Sequence, residues 1–145
     1  MICGAGIAGL SLAQRLKTQG WDVVVLEKSP GPRNQGYMID FFGPGYDAAE
    51  AMGVLPRLKE LGYQVEEMTY LDEPGRRRAS LNYARFQRVV SGRLLSIMRP
   101  DLELALREHV RDDVELRFGC SITQIQNSPD GVHLTLTDGS TLDAD

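Results

Sequence analysis

Residues 1–27 read MICGAGIAGLSLAQRLKTQGWDVVVLE, and the order of residue types along this stretch decides the fold. Met1, Ile2 and Cys3 lead into Gly4-Ala5-Gly6-Ile7-Ala8-Gly9, which fits the spacing G-x-G-x-x-G. Ile7, Leu10, Ala13 and Leu16 then recur at three-residue steps, one face of a helix, and Gly20 stands where that helix should end. Val23-Val24-Val25-Leu26 is a continuous apolar run, as in a parallel strand buried on both faces. Strand, glycine turn, helix and strand in that order make a βαβ unit.

The glycine spacing has a physical purpose in this setting. Gly4 allows the tight turn out of the strand, Gly6 leaves room for a pyrophosphate against the backbone, and Gly9 lets helix and sheet approach closely. The helix start, at Ile7 and Ala8, offers unpaired N–H groups and a partial positive charge to the phosphates. Glu27 ends the second strand close to the spacing of about 20 residues expected for an acid that accepts the ribose hydroxyls. A carboxylate there repels a 2′-phosphate, so NADP is disfavoured at this site. These features predict dinucleotide binding; periodicity alone does not separate FAD from NAD.

Outward from this unit the pattern changes. Residues 28–36 read as loop, Tyr37–Phe42 as a short strand, and Tyr46–Met52 and Leu55–Leu61 as short helices. Gln64–Leu71 and Arg76–Leu81 flank the turn cluster Asp72-Glu73-Pro74-Gly75 and predict an inserted hairpin. The basic run Arg76-Arg77-Arg78 reads as a solvated edge that discourages further pairing. Pro100 suits the first position of a helix whose buried stripe is Leu102, Leu106 and Val110. From Val114 to Leu142, alternating runs broken by Pro129-Asp130-Gly131 and Asp138-Gly139 predict an antiparallel meander.

The bulk numbers agree with one domain or slightly less: 145 residues, 42% apolar and 25% charged, are those of a folded globular chain. A net charge of -4 argues against a nucleic-acid partner. No stretch reads as a membrane span or a signal peptide. Cys3 and Cys120 lie far apart, in no metal-ligand spacing, and are expected to be buried free thiols in a cytoplasmic protein. No metal site is expected. His109 and His133 read as structural. Three residues before Gly4, and a final run from Thr141 that stops inside a strand-like pattern, read as a segment of a longer polypeptide.

Residues 1–53 and 94–145 resemble the class A flavoprotein monooxygenases, the p-hydroxybenzoate hydroxylase-like group. The resemblance is carried by GAGIAGLSLAQRL, WDVVVLEKSP and IMRPDLELAL, and GYMIDFFGPGYDAAEAMG is similar to the tetracycline-inactivating members. It implies an α/β fold: a Rossmann-like FAD-binding βαβ sheet with an inserted β-hairpin and a carboxyl-terminal antiparallel β-meander. Residues 1–145 would form a partial FAD-binding domain, with about 63–89 as a first excursion into a substrate domain.

The resemblance also implies site residues. Glu27 would hold the adenosine ribose with Lys28 beside it. Arg33 would reach the cofactor from the following loop, and Ile122 would offer backbone contact to the adenine. Asp40 would lie close to the cofactor, and Arg99 against its central part. Each cation has a plain alternative as a solvated loop or helix-flanking charge, and Asp40 as a turn or cap residue.

The implied reaction uses NAD(P)H as a transient reductant and O₂ to hydroxylate an aromatic or polyketide-like small molecule. The catalytic residues, and the family's later Asp-Gly and Gly-Asp motifs, are expected beyond Asp145. Alternatives are another FAD enzyme of this fold (an epoxidase, halogenase or prenyl reductase), an NAD-dependent dehydrogenase domain, and a flavin-holding interaction module.

Overall fold

The structure, a computed structural model, describes residues 1–145. The chain divides into two compact units, one formed by residues 1–34 with 103–145 and the other by residues 35–102.

The first unit opens with β1 (Ile2–Cys3), α1 (Ile7–Lys17) and β2 (Val24–Glu27). β1 and β2 pair in parallel, Ile2 opposite Val25 and Cys3 opposite Leu26. α1 lies against both strands and buries Leu10 and Ala13. Its last turn carries Arg15 and Lys17, cations placed at the negative end of the helix dipole. The βαβ unit expected from residues 1–27 is therefore present.

β7 (Glu115–Phe118) departs from the sequence expectation. Its alternation resembles that of a meander strand, yet it pairs in parallel with β2, from Val24 opposite Glu115 to Glu27 opposite Phe118. The antiparallel meander is β8 (Ile122–Ser128), β9 (Gly131–Leu136) and β10 (Thr141–Ala144), with β9 in the middle. Leu26, Cys120, Leu134 and Leu136 form one buried cluster that ties β2 to the meander, with Ile122 packed on its margin. β8 carries an irregularity: Ile122 stands opposite Leu136 but Gln124 opposite Thr135, so Thr123 is an extra residue in the ladder. The Thr123 hydroxyl donates to the Thr135 carbonyl at 3.1 Å.

The second unit contains β3 (Met38–Phe42), α2 (Pro44–Ala51), α3 (Leu55–Leu61), β4 (Glu67–Leu71), β5 (Arg77–Asn82), α4 (Tyr83–Val89) and β6 (Leu94–Met98). β3 and β6 pair antiparallel, which sets Asp40 opposite Ser96. The inserted hairpin is β4–β5, exposed along its whole length. Arg77 pairs with Glu67, and Arg78 with Asp72 at 2.8 Å, so the basic run is a solvated edge as expected. α4 was not anticipated, although its signal was present: Asn82 caps it, its side chain accepting from the Arg85 N–H at 3.2 Å. α5 (Arg99–Val110) begins at the end of this unit, directly after β6, and continues into the first. No helix is long and apolar enough to cross a membrane.

Candidate cofactor site

The glycine turn is held from several directions. Gly4 has φ +103°, a region that side-chain-bearing residues avoid, and its N–H donates to the Leu26 carbonyl at 2.7 Å. A Cβ on Gly9 would stand 1.9 Å from the Gly4 carbonyl oxygen, so only glycine lets α1 close on the turn. A Cβ on Gly6 would meet nothing within 4 Å. The backbone there faces open space, as a pyrophosphate cradle requires.

α1 starts on Gly6 with no side-chain cap and no acid in its first turn. The first intrahelical bond is from the Leu10 N–H to the Gly6 carbonyl, 3.0 Å. The N–H groups of Ile7, Ala8 and Gly9 therefore lie ahead of the helical ladder, at the positive end of the helix dipole, with no acidic residue in the first turn itself. The residues present fit the phosphates of a dinucleotide.

Beside the turn lies a cleft of about 300 Å³ at the carboxyl ends of the three parallel strands. Cys3 and Gly4 contribute from β1, Leu26, Glu27 and Lys28 from β2, Cys120 to Ile122 from beyond β7, and Arg33 from the loop after β2. Ligands in open α/β sheets settle at this end of the strands. A second cavity, about 360 Å³, lies between the β8–β9 turn and the end of β10. It is lined by Asp130, Asp143 and Asp145, whose negative charge suits phosphates poorly.

Glu27 lines the first cleft. Its Oε1 accepts the Ser29 N–H at 2.8 Å, and its Oε2 accepts the Ala5 N–H at 3.0 Å. The Ser29 amide above all, then the Ala5 amide and the Arg33 charge, hold its carboxyl below the ordinary glutamate range, against the opposing pull of partial burial. Stability from these bonds is fully present above that ordinary range and is lost as pH falls through the lowered value. Melting of the wild type against Glu27→Gln is expected to show a gap at neutral pH that closes in acid. A gap that widened in acid would contradict the assignment.

Five expected residues, Gly4, Glu27, Lys28, Arg33 and Ile122, thus line one cleft, and Gly6, Ile7, Ala8 and Gly9 form the turn and helix start beside it. Lys28 and Arg33 are exposed yet face the cleft rather than bulk solvent alone. Cys120 is buried, as expected for a free thiol, but Cys3 is exposed. It alternates with buried Ile2 along β1 and lines the cleft, so the expectation that both thiols are buried is corrected.

Asp40 and Arg99 belong to the second unit. Asp40 lies in mid-strand, not at a turn or cap. Ser96 donates to its Oδ1 at 2.7 Å, and Tyr83 donates its phenol proton to Oδ2 at 2.5 Å. Tyr83 is 1% exposed and Ser96 3%, a polar network that the sequence reading missed. Arg99 opens α5, its N–H donating to the Tyr37 carbonyl at 3.0 Å, and no carboxylate engages its guanidinium.

The whole chain, residues 1–145, matches the family model described as "FAD binding domain". It belongs to that family, and FAD is the cofactor that the family defines. Within it the chain corresponds to the amino-terminal, FAD-binding region of the class A FAD-dependent monooxygenases.

Among curated relatives it is 33% identical to 3-hydroxybenzoate 6-hydroxylase 1 of Aquipseudomonas alcaligenes, over 97% of this chain and 36% of that protein. It is 30% identical to the FAD-dependent urate hydroxylase of Mycolicibacterium vanbaalenii, over 100% of this chain and 37% of that protein. The chain therefore spans little more than a third of these relatives.

Among solved structures, Klebsiella pneumoniae HpxO complexed with FAD and uric acid superposes with a TM-score of 0.75 at 28% identity, over 99% of this chain and 36% of that one. Tetracycline destructase Tet(51) does so with 0.79 at 26% identity, over 99% and 36%.

Proposed function

We propose that this chain holds the adenosine and pyrophosphate end of FAD in a monooxygenase that uses NAD(P)H and O₂ to hydroxylate an aromatic or polyketide-like small molecule. The observation that carries the reading is the cleft at the strand ends, where Glu27 stands beside an uncapped helix start. The hydroxylase names of the relatives support the reaction class, and their substrates, 3-hydroxybenzoate and urate among them, support small planar rings.

In this reading the N–H groups at Ile7 and Ala8, over Gly4, Gly6 and Gly9, bind the pyrophosphate. Glu27 accepts the ribose hydroxyls with lone pairs its two amide partners leave free, since a carboxylate offers about four acceptor sites. Lys28 and Arg33 balance charge at the cleft mouth, and the backbone at Ile122 meets the adenine. Asp40 and Arg99 serve the cofactor nearer its centre, and residues 63–89 form the first excursion into a substrate domain. Bound FAD supplies the electron transfer from NAD(P)H to O₂; the protein supplies binding, orientation and exclusion of water.

The test is the full natural polypeptide, purified and assayed for bound flavin and for NAD(P)H oxidation stimulated by aromatic acids, phenols and purines. A yellow protein with stimulated oxidation is expected. A colourless protein that binds NAD tightly would point to a dehydrogenase instead, and flavin without any stimulated oxidation to a binding module.

Two substitutions sharpen the residue roles. Glu27→Ala is expected to cost on the order of 1.5–3 kcal/mol of FAD affinity, the worth of a hydrogen bond to a charged group. Arg99→Ala should reduce flavin retention or slow flavin reduction by NAD(P)H. Unchanged values for both quantities would remove Arg99 from the site.

A further inference from the structure

Glu27 is the one carboxylate in the cleft, and its two oxygens are bound to amides from different segments. Ala5 belongs to the glycine turn and Ser29 to the loop that leaves β2. The same short stretch reaches a third segment through its backbone. The Glu27 carbonyl accepts the Cys120 N–H at 3.0 Å, and the Ser29 carbonyl accepts the Gly119 N–H at 2.8 Å. The glycine turn, the end of β2 and the residues after β7 are the three walls of the cleft. Glu27 and Ser29 join all of them.

We propose that Glu27 is a positioning residue as well as a ribose acceptor: its carboxylate fixes the glycine turn to the loop after β2 and so assembles the cleft before the cofactor arrives. The physical reason is economy of order. An unclamped turn containing Gly4, Gly6 and Gly9 samples many backbone states, and fixing it on binding would subtract from affinity. A carboxylate already bound to Ala5 and Ser29 removes that cost in advance. Glutamine cannot replace it, because its side chain has one acceptor oxygen and one NH₂ donor facing two N–H groups. Aspartate keeps the charge but is one methylene shorter, so it cannot span both amides.

This inference rests on the reading of the cleft as a nucleotide site, and two probes separate the two ideas. ADP presents pyrophosphate and ribose hydroxyls; 2′,3′-dideoxy-ADP presents the pyrophosphate without them. The protein is the full natural polypeptide stripped of flavin. Binding is measured by calorimetry and amide protection by hydrogen exchange.

In the wild type, the Ala5 and Ser29 amides are expected to be protected with no nucleotide present. Glu27→Gln and Glu27→Asp should each speed their exchange about tenfold and weaken dideoxy-ADP about tenfold, the size of one charge-assisted bond at the low end of its range. Glu27→Gln should weaken ADP further, since a ribose acceptor is lost as well.

Unprotected Ala5 and Ser29 amides in the wild type would overturn the clamp without recourse to any variant. Dideoxy-ADP affinity untouched by Glu27→Gln, with ADP weakened, would leave Glu27 a ribose reader alone and also overturn it. If the wild type bound neither nucleotide while both amides were protected and were released by Glu27→Gln, the clamp would stand and the nucleotide reading would fall.

Discussion

Gly9→Ala is expected to destabilise the protein and to remove most of its affinity for FAD. The added methyl would lie 1.9 Å from the Gly4 carbonyl oxygen and 3.1 Å from its carbon, both backbone atoms. Gly4 cannot yield easily, because its N–H is committed to Leu26 at 2.7 Å and its φ is +103°. Either α1 moves off the sheet or the turn is remade. Overpacking of this kind costs about 1–3 kcal/mol and more where backbone must shift, and here the upper end is expected.

Gly6→Ala is the matching control. Its methyl meets nothing within 4 Å and its φ of -79° suits alanine, so melting should stay within about 0.5 kcal/mol of the wild type. The methyl would occupy the space left for the pyrophosphate, so FAD affinity should still fall. Thermal melts beside flavin titrations of both variants give the answer. Equal melting of Gly9→Ala and wild type would refute the close packing of α1 on the turn.

The second large effect is expected at Tyr83. Its ring is almost completely buried, with Phe86 edge-on at 6.2 Å, and its hydroxyl reaches Asp40. Tyr83→Ala should cost about 3–5 kcal/mol through the lost ring volume alone. Tyr83→Phe keeps the ring and removes only the donor, which should cost about 1.5–3 kcal/mol because the acceptor is a carboxylate.

Burial first, and then the bond to Asp40, raise the Tyr83 pKa above the ordinary tyrosine value. The contribution of the phenol is thus fully present below that ordinary value and is lost as pH rises through the raised one. Denaturant unfolding of both variants at neutral pH, and of the wild type into the alkaline range, tests each part. A Tyr83→Phe protein as stable as wild type would show that Ser96 alone satisfies Asp40.

The parts of the molecule that were legible in the sequence are those governed by local pattern. The turn from Gly4 to Gly9, the periodic face of α1 and the apolar run before Glu27 lie within one short stretch, and each element constrains the next. The partners of Glu27 were not legible. A carboxylate says that it will accept hydrogen bonds, not that Ala5 and Ser29 will be first to offer them.

Alternation does not place β7, because it reports a half-exposed strand and nothing about its neighbour. Val114, Leu116 and Phe118 alternate as the meander strands do. What assigns the strand to the parallel sheet is pairing with Val24–Glu27, distant in sequence, reinforced where Cys120 meets the Glu27 carbonyl. The exposure of Cys3 is hidden for the opposite reason: β1 has two residues, too few to show which side faces inward. The network around Asp40 joins β3, α4 and β6, and only tertiary pairing brings Tyr83 and Ser96 to one carboxylate.

The extra residue at Thr123 has a consequence for how this protein can change over evolutionary time. In a strand, adding or removing one residue exchanges the two faces of everything on one side of the edit. Ile122 lines the cleft, and Thr123 is uncounted in the ladder to β9. Thr123 escapes that rule: without it the ladder would run regularly, with Ile122 still opposite Leu136 and Gln124 still opposite Thr135, so Ile122 would keep its face and its place in the cleft. The bulge is therefore a place where a lineage could gain or lose a single codon and leave this wall of the cleft as it is.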